Sequence, residues 1–212
     1  MSEIVLLGDS IFDNVRYVKP ANGEKSVIEH LRDRVLTGWI ATLLAVDGNV
    51  STDIATQMTK LPSSATHLAM SVGGNDAIQS SGILQQSVTS IDAALTTFSV
   101  ALEDFRDRYR KAMAALLSVS TPAMVCTIYD AIPNLTKAQI TALALFNDVI
   151  IREAAHQGVP VLDLRSICDD ASDFSPVSVI EPSDTGGAKI ADAIVTMGLR
   201  HDFSVPRTTL YV

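Results

Sequence analysis

Four short stretches of this 212-residue chain carry side chains suited to chemistry as well as to folding. Gly8-Asp9-Ser10 sets a hydroxyl beside a carboxyl. Asp47-Gly48-Asn49 and Gly73-Gly74-Asn75-Asp76 add amides, carboxyls and glycines that let a ligand approach the backbone closely. Glu181-Pro182-Ser183, three residues after Ser178, brings another carboxyl. A hydroxyl can act as nucleophile, an amide donates hydrogen bonds, and a carboxyl accepts or returns a proton. The acidic members Asp9, Asp76, Asp130 and Glu181 could instead supply oxygen ligands to Mg²⁺. Taken singly, each stretch reads first as turn and cap chemistry, for which Gly, Asp, Asn and Ser are the usual residues.

The elements that must position these stretches are legible as alternating patterns. Ile4–Leu7, Trp39–Val46, Thr66–Val72, Met124–Ile128 and Val159–Leu164 are continuous apolar runs, the mark of strands covered on both faces. Between them, helical spacing appears over Ser26–Val35, with Ser26 as cap, and over the short Thr52–Lys60. It recurs over 82–118, where Ser/Thr clusters at 87–97 invite a break, and over Thr136–His156, closed by Gly158. Asp184–Met197 is the last helix, with Gly198 as its stop. Five strands with intervening helices predict an α/β doubly wound fold, a three-layer α/β/α sandwich on a five-stranded parallel sheet, and no boundary divides residues 1–212. Ligands in such sheets bind beyond the carboxyl ends of the strands. All four chemical stretches fall at or near that edge.

In this order and at this edge, the stretches resemble the blocks of the SGNH hydrolases, the GDSL-type lipases and acylhydrolases. Gly8-Asp9-Ser10-Ile11 after the first strand looks like the block that holds the family's serine nucleophile. Gly48 falls where the family keeps a glycine whose N–H faces the oxyanion. Gly73-Gly74-Asn75-Asp76 matches the G-x-N-D block with its second oxyanion donor, and Pro182-Ser183 resembles the last block. The resemblance runs from about residue 4 to about residue 198 and implies a flavodoxin-like SGNH fold. It implies Ser10 as nucleophile, and the Ser10 and Gly48 N–H groups with the Asn75 amide as the oxyanion hole. Each such donor contributes roughly 3–4 kcal/mol to acyl transfer. Asp9, Asp76 and Ser178 would surround them.

The chain departs from the family at the proton acceptor. The last block reads D-x-x-H in the family, whereas Ser178 and Glu181 occupy those two places here. No histidine substitutes easily. His67 starts a strand and His156 precedes one, which puts both at the opposite edge, and His201 lies about 20 Å along the last helix. His30, early in the first helix, is the one within reach. Glu181 is therefore the best candidate base. A glutamate starts about two pKa units below histidine, roughly 3 kcal/mol less driving force, unless burial raises it. The competing reading pairs Glu181 with Lys25, Arg32, Arg34 or Arg165, which would keep it ionised and a poorer base.

Composition narrows the partners. Sixteen Lys+Arg against 24 Asp+Glu gives a net charge of −8 and no basic cluster, which argues against nucleic acid and anionic membrane surfaces. No apolar run approaches a membrane span or a signal peptide, so a cytoplasmic location is the default expectation. Cys126 and Cys168 form no disulfide framework; Cys126 reads as a buried hydrophobe, and Cys168 lacks an activator. Phe12, Tyr17, Trp39 and Tyr129 could line a pocket or sit in the core. The expected function is serine-type hydrolysis of small acyl esters without a cofactor. A small-ligand binding module on the same fold and a metal-dependent phosphoesterase are the alternatives, and self-association is left open.

Overall fold

The computed structural model describes residues 2–212. Six strands form one sheet: β1 Ser2–Gly8, β2 Trp39–Leu43, β3 His67–Ser71, β4 Ala123–Cys126, β5 Val161–Leu162 and β6 Leu210–Tyr211. Their order is β2-β1-β3-β4-β5-β6, and every neighbouring pair is parallel. The five expected strands are all present. The sixth, β6, is added at the β5 edge by backbone bonds from Val161 N–H to Thr209 C=O and from Asp163 N–H to Tyr211 C=O. Leu210-Tyr211-Val212 is too short an apolar run to mark a strand, so only the pairing reveals this one.

Seven α-helices cover the sheet: α1 Val27–Arg34, α2 Ile54–Met58, α3 Gly74–Ser80, α4 Ile91–Leu116, α5 Lys137–Gln157, α6 Leu164–Ile167 and α7 Asp184–Arg200. Alternation along β1 explains the layers. Ile4 and Leu6 pack with Val27 and Leu31 of α1 and Ile190 and Ile194 of α7. Val5 and Leu7 pack on the other face with Phe105 and Tyr109 of α4 and Phe146 and Ile150 of α5. All four β1 side chains are buried, each contributing about 1.5–3 kcal/mol of transfer free energy.

Two helix expectations need correction. The Ser/Thr-rich segment breaks the helical region only up to Ser90, whose side chain accepts from Ala93 N–H and caps α4. Beyond it α4 runs unbroken: Thr97 and Ser99 bond their hydroxyls back onto the Ala93 and Thr96 carbonyls, and Phe98, Leu102 and Phe105 pack in the core. Likewise Gly198 does not stop α7, which continues to Arg200 before extending at His201.

The strand order reverses direction between β1 and β3, which is where a doubly wound sheet opens a crevice at its carboxyl edge. Gly8 makes that junction possible. Its φ is +129°, and a Cβ there would lie 1.8 Å from the Ser71 carbonyl oxygen. Only glycine lets β1 and β3 close this tightly just before Ser10.

Candidate active site

Ser10 follows Gly8 and Asp9 into a turn in which the Phe12 and Asp13 N–H groups bond the Asp9 carbonyl. The turn is braced from behind by Gln57, a buried residue of α2. Its side-chain oxygen accepts from Gly8 N–H at 2.8 Å, and its Nε2 donates to Gly8 C=O at 2.7 Å and to Asn49 Oδ1 at 2.8 Å. One amide thus ties the Ser10 turn to the loop that carries Gly48. Gln57 gave no sign of this in the sequence, because its partners lie 49 and 8 residues away.

The third stretch joins the same frame. Asn75, in the first turn of α3, donates from Nδ2 to Asn49 C=O at 2.9 Å. Asp76 is fully buried and accepts from Ser51 N–H at 2.9 Å and Ser51 Oγ–H at 2.7 Å, with the Arg108 guanidinium at 3.3 Å. Asp76 therefore fastens α3 to the Gly48–Ser51 loop. Gly48 itself is exposed, has a φ of +84°, and is not among the residues that line the cavity described below.

Ser10, Asn75, Asp9 and Glu181 all line one cavity of about 130 Å³. Its remaining wall is largely apolar and includes Val72, Ile78, Leu84, Phe98, Leu143 and Phe146. Tyr129 lines it too, whereas the other three aromatic candidates do not. Phe12 is core, Trp39 stacks on His67 at the far edge of the sheet, and Tyr17 donates to Asp47 Oδ2 at 2.9 Å.

The loop that delivers Glu181 is held by its main-chain oxygens. Asn14, completely buried, donates from Nδ2 to Pro182 C=O at 3.0 Å while its Oδ1 accepts from Val27 N–H at 2.9 Å. Tyr129 O–H donates to Ile180 C=O at 2.6 Å, and Ser175 N–H donates to Glu181 C=O at 2.8 Å. Ser178 contributes only its carbonyl, which accepts from Glu181 N–H at 3.0 Å; its hydroxyl makes no bond to the site.

Glu181 is 4% exposed, and its Oε2 has no hydrogen-bond partner. Burial pushes its pKa up from 4.5 to about 7; the nearby Ser10 hydroxyl draws it down, and the Asp47 carboxylate adds to the rise. Burial likewise pushes Asp9 up to about 8, against a hydrogen bond from Ile11 N–H. The ion-pair reading of Glu181 is not met. Lys25 pairs with Asp33, Arg34 with Asp192 and Arg165 with Asp163, each at 2.6 Å, and Arg32 donates to Ala41 C=O. Nor does His30 reach Ser10. Its Nε2 lies 2.9 Å from Asp184 Oδ1 and its Nδ1 2.9 Å from Arg34, and it is absent from the pocket wall. The acidic residues do not converge for a cation either: no group of three or more His, Cys, Asp or Glu side chains is placed to hold a metal among the described residues.

The GDSL-like lipase/acylhydrolase family matches the chain over residues 6–187. The chain belongs to this family. Solved structures of similar fold include the extracellular lipase of Streptomyces rimosus, 19% identical, with a TM-score of 0.67 over 93% of this chain and 99% of that one. Phospholipase A1 of Streptomyces albidoflavus NA297 is 18% identical, with a TM-score of 0.64 over 92% of this chain and 98% of the other. The acetyl xylan esterase AlAXEase is 17% identical, with a TM-score of 0.65 over 92% and 98%. At such identities the likeness shows the shared fold. No curated protein sequence matches the chain. The GDSL-like family supports ester hydrolysis as the general activity, and no helix among the described residues is long and apolar enough to cross a membrane.

Proposed function

We propose that the chain is a serine esterase in which Glu181 replaces the usual histidine as base. The observation that carries this reading is the buried Glu181 carboxyl, its Oε2 unpartnered, lining the same cavity as Ser10, with a pKa near 7. At that value the carboxylate is about as basic as an imidazole, which closes the gap of roughly 3 kcal/mol expected for an ordinary glutamate.

In the first half-reaction Ser10 Oγ bonds to the acyl carbon and its proton passes to Glu181. The carbonyl oxygen takes the negative charge, facing the Ser10 and Gly48 N–H groups and the second Nδ2 proton of Asn75, whose first is held by Asn49 C=O. The tetrahedral adduct then expels the alcohol oxygen, which takes the proton from Glu181. Water repeats the sequence on the acyl-serine and returns Ser10 and the carboxylate to their starting state. No imidazole needs orienting, so an aspartate at position 178 is unnecessary. The apolar cavity suits a short aliphatic acyl group.

The test combines covalent labelling with kinetics. A fluorophosphonate is expected to label Ser10, and p-nitrophenyl acetate hydrolysis is expected to fall in Ser10→Ala and Glu181→Gln. An unlabelled Ser10, or equal rates in all three proteins, refutes the mechanism; the first result is what a binding module would give.

A further inference from the structure

We propose that the acyl chain of the substrate runs out of the cavity along α4, on a track formed by Phe98, Leu95 and Ile91. The preferred substrate is then an ester of an uncharged fatty acyl chain longer than the cavity itself can hold. This rests on the esterase reading and adds the acyl class to it.

The layers of the fold give that chain its direction. Glu181 arrives on the loop that leads into α7, on one face of the sheet, and returns its proton to the departing alcohol there. Phe98 and Phe146, which line the same cavity, belong to α4 and α5 on the opposite face. The alcohol therefore leaves beside Glu181 while the acyl chain points towards α4. The cavity of about 130 Å³ is slightly smaller than the roughly 150 Å³ that takes up a benzene, so it holds only the first few carbons.

The apolar wall on this side is not closed. Ile78 is 51% exposed, and Leu84 and Phe98 are half-buried, although all three line the cavity; its apolar end thus reaches the protein surface. Helix α4 continues it outward. Tyr109, Phe105, Leu102, Phe98, Leu95 and Ile91 follow one another in steps of four and three, which keeps them on one helical face. Exposure climbs along that stripe, from 0% at Phe105 through half-buried Leu102 and Phe98 to 60% at Leu95 and 81% at Ile91. The first two turns of α4 thus carry a core-type stripe into solvent, about 10 Å of helix beyond Phe98.

The occupant of such a stripe is apolar and uncharged. Residues 77–102 hold one charged side chain, Asp92, and no Lys or Arg lies between Lys60 and Arg106, so this segment offers no counter-charge to an anionic headgroup. A second copy of the chain would need roughly 800 Å² per partner, far more than Ile78, Leu95 and Ile91 expose. The stripe is instead continuous with the cavity through Phe98, and hydrocarbon that emerges from the one lies against the other.

The test compares p-nitrophenyl butanoate with p-nitrophenyl octanoate, each kept below the concentration at which it aggregates. Four further methylenes, each buried on one side, are expected to raise kcat/KM about tenfold or more for the octanoate. Leu95→Asp and Ile91→Asp, both at exposed positions, are expected to bring that ratio towards one. Val100→Asp alters a 63% exposed aliphatic position on the opposite face of α4, and its ratio should stay native. Each ratio is taken within one protein, so a general loss of activity cancels. A native ratio of one or below with butanoate cleaved, a ratio unchanged in both track variants, or the same collapse in Val100→Asp overturns the track and leaves the esterase standing. So does a dimer, seen by sedimentation velocity, that Ile91→Asp dissolves. Cleavage of neither ester, together with an unlabelled Ser10, overturns the esterase reading itself.

Discussion

Replacing Glu181 with glutamine tests the base through stability as well as rate. The carboxyl titrates at about 7 in the fold against an ordinary 4.5, so the unfolded chain releases this proton first as pH rises. Stability is therefore fully retained below about pH 4.5, falls between 4.5 and 7, and levels off above. At 1.36 kcal/mol per pKa unit, the ionised carboxylate costs about 3 kcal/mol at pH 8 and less than about 1 kcal/mol at pH 5. Native protein should lose roughly 2.5 kcal/mol across that interval on account of Glu181 alone. Asp9, raised to about 8, contributes a loss of the same sign, and removing the Glu181 charge eases it too. Glu181→Gln cannot ionise, so its urea-unfolding free energy should decline less steeply from pH 5 to pH 8 than that of native protein. The slope is the readout, because the amide's own unmet bonds shift all points together. In parallel, kcat/KM for p-nitrophenyl acetate should fall about 10²–10⁴-fold, and the native profile should rise through an apparent pKa near 7. Parallel stability curves with full activity would refute the assignment of Glu181 as a buried, working base.

Two further substitutions probe the frame. Asn75→Ala removes the side-chain donor to the oxyanion, so kcat should drop about 10²–10³-fold while KM changes only a few-fold in steady-state assays. Gln57→Leu strands the Gly8 N–H and unties the Asn49 loop, which should lower the urea-unfolding free energy by about 2–4 kcal/mol and depress kcat although no substrate atom is touched.

How far the sequence reached depends on what each residue answers to. The first five strands were legible because burial on both faces demands unbroken apolar runs, as in Ile4–Leu7. β6 was not, because Leu210 and Tyr211 are strand only by pairing with β5. Helix α4 outlasted its hydroxyl residues because Phe98, Leu102 and Phe105 pack in the core and override local preference, while α7 ran past Gly198 to Arg200. Ser10, Asn75, Asp9 and Glu181 could be brought to one edge by the strand rule alone, and the structure gathers them around one cavity. Asp76 braces α3 against the Gly48–Ser51 loop, and Ser178 contributes its carbonyl to Glu181 N–H. Gln57 and Asn14 were invisible, since a single polar residue carries no sign of a partner dozens of positions away.

The grip on the loop around residue 181 has an evolutionary corollary. Asn14, Tyr129 and Ser175 all hold peptide oxygens, at Pro182, Ile180 and Glu181, and none holds the Glu181 side chain. The address is written in the main chain, while the tenant can change. An imidazole installed there would be delivered to the same doorstep as the carboxyl. Exchange between the two chemistries thus takes one codon, with no rebuilding of the architecture around it.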